Sequence, residues 1–106
     1  MQETVLVYTT WPSAPQAEAA GRALVEAGLC ACINILPGMV SVYAWQGKIE
    51  RAEEVVMILK TRRALAPRLM EAARAAHPYD TPAIVALAVT GIDPGFAAWI
   101  AAETGG

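Results

Sequence analysis

Few side chains in this sequence are suited to chemistry, and the only histidine, His77, lies in the segment HPYDTP after an alanine-rich stretch. An imidazole can bind a metal ion or transfer a proton, and Tyr79 and Asp80 place oxygen atoms near it in the sequence. Alternatively, His77 ends a helix, where the imidazole suits the negative end of the helix dipole and Pro78 enforces an extended backbone. One histidine cannot fill a site of three or four ligands, so composition alone favours the helix end.

The two cysteines, Cys30 and Cys32, are the next candidates for metal chemistry. A disulfide between residues so close in sequence would be strained, and we therefore expect reduced thiols. Residues two apart on a strand point to the same face, and two accessible thiolates would suit copper(I). A C-x-C pair without a second pair is a weak zinc signal, however, and free cysteine is most often a small buried apolar residue. Burial is the interpretation that we favour for both.

A basic cluster, formed by Lys60, Arg62 and Arg63, is predicted where a strand gives way to a helix. Backbone amides and basic side chains at a helix N-terminus can bind an anion, although a solvated group of charges is the simpler interpretation. The sequence contains no glycine-rich phosphate-binding motif. Ser13 and Ser41, the two serines, lie outside any nucleophile-elbow motif, so nothing supports a serine hydrolase.

The composition indicates one domain that spans residues 1–106 and associates with other subunits. Hydrophobic residues make up 56% of the chain, above the roughly 45–50% typical of soluble domains. No apolar run approaches the roughly 18 residues that a membrane span requires, and the surplus is therefore expected to cover subunit interfaces. The net charge is −2 without a basic block, which argues against nucleic acid as a partner. The N-terminal MQETVLVY lacks the features of a signal peptide, and we expect a cytoplasmic location.

Hydrophobic periodicity and turn residues predict seven elements that could position these side chains. In chain order they are a buried strand over residues 4–10, a helix capped by Ser13 and ended by Gly28, a long strand over 30–45 with a bend at Pro37-Gly38, its antiparallel partner over 48–61, a helix over 62–76, a buried strand over 83–89 and a short helix from Pro94 to the residues before Thr104. The last three residues, 104–106, are expected to fray.

This order, β-α-β-β-α-β followed by a short helix, predicts an α+β fold of the ferredoxin-like type. Right-handed crossovers place both long helices on one face of a four-stranded sheet. The opposite face carries the aromatic residues Tyr43 and Trp45 and needs a cover, for which another subunit is the economical choice. The long hairpin also projects unpaired strand edges, which a closed ring of copies would satisfy.

Four segments of the chain resemble the CutA divalent-cation-tolerance family, in order and over nearly the whole length. They are ALVEAGLCACINILPG (23–38), SVYAWQGKIE (41–50), EEVVMILKTR (53–62) and HPYDTPAIVAL (77–87). The resemblance implies a ferredoxin-like protomer in a compact homotrimer, in which the long hairpin of one chain extends the sheet of the next. It also implies tolerance to divalent cations, copper above all, and no family-wide catalytic activity. Fold and assembly are in addition similar to those of PII-type signalling proteins, which bind nucleotides and partner proteins.

The resemblance also suggests candidate ligands for copper(II). Some copper-binding members have a cysteine near the end of the first strand and two successive histidines before the proline, where this chain has Thr9 and the pair Ala76-His77. Copper prefers imidazole, so His77 is the first candidate, and Cys32 in the family's A-C-hydrophobic-N/T segment is the second. Further ligands could come from another subunit.

Three functions are therefore open at this point. The leading hypothesis is a non-enzymatic cytoplasmic homotrimer that responds to divalent metal and binds copper(II) through His77, with copper not obligatory for the fold. The second is a PII-like signalling trimer that binds a nucleotide, another small anion or a protein between subunits near the basic cluster. The third is a small enzyme that uses His77, Tyr79 and Asp80 as acid or base.

Overall fold

A computed structural model of the chain describes residues 3–105. Its elements are β1 (Thr4–Trp11), α1 (Ala14–Glu26), β2 (Cys32–Trp45), β3 (Lys48–Arg62), a 3₁₀ turn (Arg63–Leu65), α2 (Ala66–Ala76), β4 (Ile84–Ala88) and α3 (Pro94–Glu103). The four strands form one sheet in the order β2-β3-β1-β4, and every neighbouring pair is antiparallel. The predicted ferredoxin-like α+β architecture is confirmed.

Helices α1 and α2 cover one face of the sheet. Helix α3 contacts β1 and β3 and is held by Arg62, whose side chain points to the opposite face, and the rest of that face carries no helix within residues 3–105. The register pairs Val7 with Leu59 and Tyr8 with Ile58, so alternate rows of side chains point to opposite faces. On the helix-side face, the fully buried strand residues are Val7, Thr9, Trp11, Met57, Leu59 and Thr61. They pack against small and apolar residues of α1 and α2, among them Ala17, Leu24, Leu69 and Ala73. The opposite side, which we call the open face, carries Leu6, Tyr8, Val56, Ile58, Leu36, Val85 and Leu87.

Helix α1 begins as the sequence predicts. The Ser13 hydroxyl accepts a hydrogen bond from the amide of Gln16 at 3.3 Å, which satisfies one of the free amides of the first turn. Gly21 faces the sheet, and a Cβ atom there would lie 2.7 Å from the Met57 sulfur and still closer to the Cδ1 of Ile33. The missing side chain therefore lets the helix sit close to the strands.

The predicted helix over 62–76 is wrong in its first turn. β3 continues through Arg62, which pairs with Thr4, and a 3₁₀ turn precedes α2, which begins only at Ala66. Ladder hydrogen bonds to β1 hold the backbone extended here, and local helix propensity does not compete with them. Pro67 lies in the first turn of α2, where its missing amide hydrogen costs no hydrogen bond.

The long hairpin carries both irregularities that the sequence predicts. The register of β2 against β3 shifts between Leu36 and Met39, at the Pro37-Gly38 bend. Its tip is a tight turn in which Gln46 and Gly47 have φ of 49° and 80°, the left-handed values of a type I′ turn. The hairpin extends beyond the helices and makes the molecule 45 Å long but only 27 and 23 Å across.

The chain end is more firmly held than expected. Arg62 donates through Nε to the Thr104 hydroxyl at 3.0 Å and through Nη2 to the Thr104 carbonyl at 2.6 Å. Thr104 and Ile100 are buried, so the prediction of fraying is wrong at Thr104, and Gly106 lies outside the described residues. Within residues 3–105, none of the helices combines the length and apolarity of a membrane span.

Candidate functional site

His77 lies at the C-terminal cap of α2, as the sequence predicts. Its backbone is extended, with φ of −84° and ψ of 137°, because Pro78 disfavours a further helical residue. The ring is buried and stacks on the indole of Trp11, with ring centroids 4.1 Å apart. His77 therefore joins the end of α2 to the end of β1.

Two main-chain groups contact the imidazole nitrogens and select one tautomer of the ring. Nε2 lies 2.7 Å from the carbonyl oxygen of Thr10, and Nδ1 lies 3.2 Å from the amide nitrogen of Tyr79. A carbonyl oxygen can only accept a hydrogen bond and an amide N–H can only donate one. The neutral ring with its proton on Nε2 satisfies both contacts and leaves the lone pair of Nδ1 directed towards Tyr79.

A buried threonine supports this arrangement. The Thr9 hydroxyl donates to the Met57 carbonyl at 2.8 Å and accepts from the Trp11 indole N–H at 2.7 Å. It thereby orients the indole on which His77 stacks. From the sequence, Thr9 is only a departure from copper-binding relatives, because nothing local indicates that its hydroxyl connects two strands.

Tyr79 connects His77 to the hairpin. Its hydroxyl donates to the Glu54 carboxylate at 3.0 Å, and its ring lies 4.8 Å from the imidazole between centroids. Desolvation, followed by the hydrogen bond to Glu54, raises the pKa of Tyr79 to about 12, so the phenol remains a donor at neutral pH. Glu54 itself is buried. Glu54 could not be predicted as part of the site, since a charge in an acidic stretch of a strand carries no sign of such a partner.

A cleft beside this cluster is lined by Glu54, Tyr79 and Asp80 among other residues. Its remaining described lining residues are uncharged. The nitrogens of His77 contact Thr10 and Tyr79, and Asp80 stands exposed on the chain after them. Acid–base catalysis by His77 with Asp80 would require a contact between the imidazole and the carboxylate. The hydrogen bonds of the imidazole go to Thr10 and Tyr79 instead.

The two cysteines do not share a face, contrary to the prediction. Cys30 precedes β2 and is buried in the core between sheet and helices, whereas Cys32 pairs with Lys60 on the open face. Burial, and secondarily the neighbouring Cys32, raises the pKa of Cys30 to about 12. Cys30 therefore stays a protonated thiol at neutral pH, as expected of a small buried apolar residue, and is unsuited to bind metal.

The two predicted metal ligands, His77 and Cys32, lie apart within one chain. His77 contacts Thr10, whose partner on β3 is Val56, while the partner of Cys32 is Lys60. Four residues along a strand correspond to about 13 Å. Throughout residues 3–105, no three histidine, cysteine, aspartate or glutamate side chains converge as metal ligands. Within residues 3–105 of a single chain, His77 and Cys32 are therefore two separate candidate ligands, and neither has the further protein ligands of a complete metal site nearby.

Each residue of the basic cluster has its own partner. Lys60 donates to the side-chain oxygen of Asn34, Arg62 binds Thr104, and Arg63 forms an ion pair with Glu3 at 2.8 Å. Lys60 and Arg62 lie on β3, whereas Arg63 begins the 3₁₀ turn. An anion near this cluster would have to compete with these contacts.

The sequence matches a known family over most of its length. Residues 5–103 match the family model described as CutA1 divalent ion tolerance protein. The divalent-cation tolerance protein CutA of Thermus thermophilus is 40% identical over 105 residues, which cover 99% of this chain and 100% of the relative. Protein CutA of Mus musculus is 40% identical over 93 residues, 88% of this chain and 52% of the mouse protein. The chain therefore spans about half the length of that relative.

The fold agrees with this match. The crystal structure of the divalent ion tolerance protein CutA1 from Ehrlichia chaffeensis superposes with a TM-score of 0.93 at 36% sequence identity. The superposition covers 98% of this chain and 97% of that protein. The similarity thus extends over the whole described fold, including the long hairpin and the short C-terminal helix.

Proposed function

Since the chain belongs to the CutA1 divalent ion tolerance family, we propose that it is a non-enzymatic protein of the response to divalent metal that binds copper(II) through His77 as a homotrimer. The observation that carries the proposal is the hydrogen bond from Nε2 of His77 to the Thr10 carbonyl at 2.7 Å. It fixes the tautomer in which Nδ1 holds a lone pair.

This tautomer suits a metal ligand. Metal-binding histidines commonly donate their other ring N–H to a carbonyl or carboxylate, which orients the ring and makes the free nitrogen a better donor. Thr10 provides that carbonyl, and the stacked Trp11 fixes the plane of the ring. Copper(II) has a strong preference for imidazole nitrogen among protein ligands. His77 therefore fits as one ligand of such an ion.

The charges around the cleft favour a cation over an anion. Glu54 and Asp80 are the charged side chains of the described lining, and both carry carboxylates. Negative charges that line a cleft with low-dielectric walls raise the local concentration of a cationic ligand. The basic cluster, by contrast, is engaged by residues of the same chain. We therefore adopt the metal hypothesis and not the PII-like one.

The rest of the coordination shell is assigned to water or to other copies of the chain. The open face carries exposed apolar residues, including Val85 and Leu87, that a second and third copy would cover. Cys32 lies on this same face and could meet residues of a neighbouring copy there. It is therefore kept as a second candidate site, distinct from His77.

The experiment is a calorimetric titration of copper(II) into the reduced protein. We compare the wild type with His77→Ala and with His77→Gln, which retains an amide donor near Thr10, after circular dichroism has established that each is folded. We expect saturable binding in the wild type and a loss of at least tenfold in affinity in both variants.

Cys32→Ser serves as the matched variant for the second candidate. If Cys32→Ser removes binding while the His77 variants retain it, the copper site lies at Cys32 and the His77 assignment is wrong. An absence of saturable copper(II) binding in the wild type would refute the proposed function as a whole.

The cytoplasmic location is part of the same proposal. Free thiols persist in a reducing compartment such as the cytoplasm, and the buried Cys30 is a free thiol in this fold. Fractionation of cells that express the full-length protein tests it, and recovery outside the cytoplasmic fraction would contradict it.

A further inference from the structure

Glu54 carries a carboxylate that has no counterion in the described part of the chain. The residue is buried, and its hydrogen-bond partner within residues 3–105 is the hydroxyl of Tyr79. The ion pairs among these residues lie elsewhere, on α1 and at the 3₁₀ turn, so no lysine or arginine neutralises Glu54. A carboxylate that is largely removed from water is costly unless a positive charge compensates it. Glu54 is therefore suited to a cation that the chain itself does not supply.

The cleft that Glu54 lines is large enough for an organic molecule. Its volume is about 1000 Å³, at the upper end of the range of about 300–1000 Å³ that ligand-binding clefts occupy. Asp80 is the second carboxylate of the described lining, which contains no lysine, arginine or histidine. The charges of the cleft therefore favour a cation and disfavour an anion.

Aromatic side chains form much of the wall around these carboxylates. Those of the described lining are Tyr8, Tyr43, Trp45 and Tyr79. Glu54 pairs with Met39 on β2, and alternation along that strand places Tyr43 on the same side of the sheet. Desolvation and Glu54 are the main causes that raise the pKa of Tyr79, and Tyr43 adds a smaller electrostatic contribution. The phenols of Tyr43 and Tyr79 therefore lie within electrostatic reach of each other, beside Glu54.

A cleft with aromatic walls and a carboxylate suits one particular kind of cation. The faces of tyrosine and tryptophan rings attract a positive charge within about 6 Å of the ring centroid, and alkylated ammonium ions are recognised in this way. Tyr8, Tyr43 and Trp45 stack on no other aromatic ring of residues 3–105, which leaves their faces available. We propose that this cleft binds a small organic cation, an alkylated ammonium ion, against the tyrosine rings with Glu54 as its counterion.

This site is separate from the copper(II) site proposed at His77. The imidazole does not belong to the described lining of the cleft, and its nitrogens contact Thr10 and Tyr79. The hydrogen bond from Tyr79 uses one acceptor position of the Glu54 carboxylate and leaves others for a cation. Binding therefore requires neither a metal ion nor a movement of Tyr79. The inference goes beyond the proposed function and stands if the copper(II) proposal fails.

The test is a titration of the full-length protein with tetramethylammonium chloride, followed by NMR. Sodium chloride keeps the total salt concentration constant, so that general screening does not change during the titration. We expect saturable shifts of the amide signals of residues 39–43 and of Tyr79, and none in α3. tert-Butanol, which has a similar shape without the charge, should cause no saturable shifts.

Two matched pairs of variants separate the role of the charge from that of the rings. Glu54→Gln keeps the shape and an acceptor for Tyr79 but removes the charge, and should weaken binding by about tenfold. Glu71→Gln removes an equal charge from an exposed position of α2 and should match the wild type. Tyr43→Leu removes an aromatic face and should weaken binding by about threefold or more, whereas Tyr43→Phe keeps the face and should bind as the wild type does. Circular dichroism establishes first that each variant is folded.

Each outcome supports the site or overturns it. Weakened binding in Glu54→Gln and Tyr43→Leu, with wild-type affinity in Glu71→Gln and Tyr43→Phe, would support it. An absence of saturable shifts in the wild type would overturn it, whether the cleft stays empty or a basic side chain of a second copy fills it. Equal binding of tert-butanol would overturn the assignment to a cation, and wild-type affinity in Glu54→Gln would exclude Glu54 as the counterion.

Discussion

At the scale of single residues, the Thr9 hydroxyl satisfies two buried polar groups at once. It donates to the Met57 carbonyl on the neighbouring strand and accepts from the Trp11 indole. Both partners belong to residues that are fully buried, so neither can turn to water. The position thus contributes to stability through hydrogen bonds that a residue of the same shape cannot replace.

Thr9→Val should lower the free energy of unfolding by about 1–3 kcal/mol, because valine keeps the shape of threonine but leaves the indole N–H without an acceptor. Urea denaturation measures the change. Thr9→Ser, which retains the hydroxyl and removes one methyl group, should lose less than Thr9→Val. Equal stability of Thr9→Val and the wild type would show that the hydroxyl does not support the Trp11 side chain.

At the scale of the elements, α1 is fitted to the sheet through a face of small residues. Ala17 and Gly21 are buried against the strands, and Gly21 faces the ends of Ile33 and Met57. A glycine within a helix costs about 1 kcal/mol relative to alanine through its backbone freedom. Its presence here is explained by the close approach of helix and sheet.

Gly21→Ala should therefore destabilise the protein in spite of the better helix propensity of alanine. Overpacking typically costs about 1–3 kcal/mol, which exceeds the gain of about 1 kcal/mol from propensity. A double-mutant cycle with Ile33→Val tests the cause, since valine lacks the Cδ1 atom that the new methyl group meets. Gly21→Ala should cost less in the Ile33→Val background, and identical costs in both backgrounds would rule out this contact as the cause.

At the scale of the whole molecule, the chain is more elongated than its length requires. Its radius of gyration is 14.3 Å, compared with about 13 Å for a compact domain of this size. The open face exposes large apolar side chains: Leu36, Val85 and Leu87 are 48%, 47% and 44% exposed. An elongated protomer with exposed apolar side chains on one sheet face and a projecting hairpin is suited to the proposed assembly with copies of itself.

Val85→Asp should dissociate the proposed trimer, because it places a charge among the exposed apolar side chains of the open face. Sedimentation velocity reports the mass of the assembly directly. Ala19→Asp introduces the same charge on the exposed side of α1 and should leave the trimer intact. A wild-type protein that sediments as a monomer would contradict the assembly, and a trimer that survives Val85→Asp would exclude the open face as its interface.

The order of the elements and the family could be predicted from the sequence alone. Periodic burial, proline and glycine positions and capping residues act locally, so they predicted both long helices, the hairpin with its bend, and the helix end at His77. They also predicted that Tyr43 and Trp45 lie on the face opposite the two long helices, because alternation along a strand is a property of the backbone.

Which distant groups come into contact depends on the packing of the elements and could not be predicted from the sequence. Pairing with β1 extends β3 through Arg62, although the local sequence favours a helix there. Cys30 is buried in the core and does not share a face with Cys32. The hydrogen bonds of His77 to Thr10 and of Tyr79 to Glu54 join residues 67 and 25 positions apart. Contacts of this kind depend on how the elements are packed together and leave no periodic signal in the sequence. The candidate residue His77 could therefore be named from the sequence, but its hydrogen-bond partners could not.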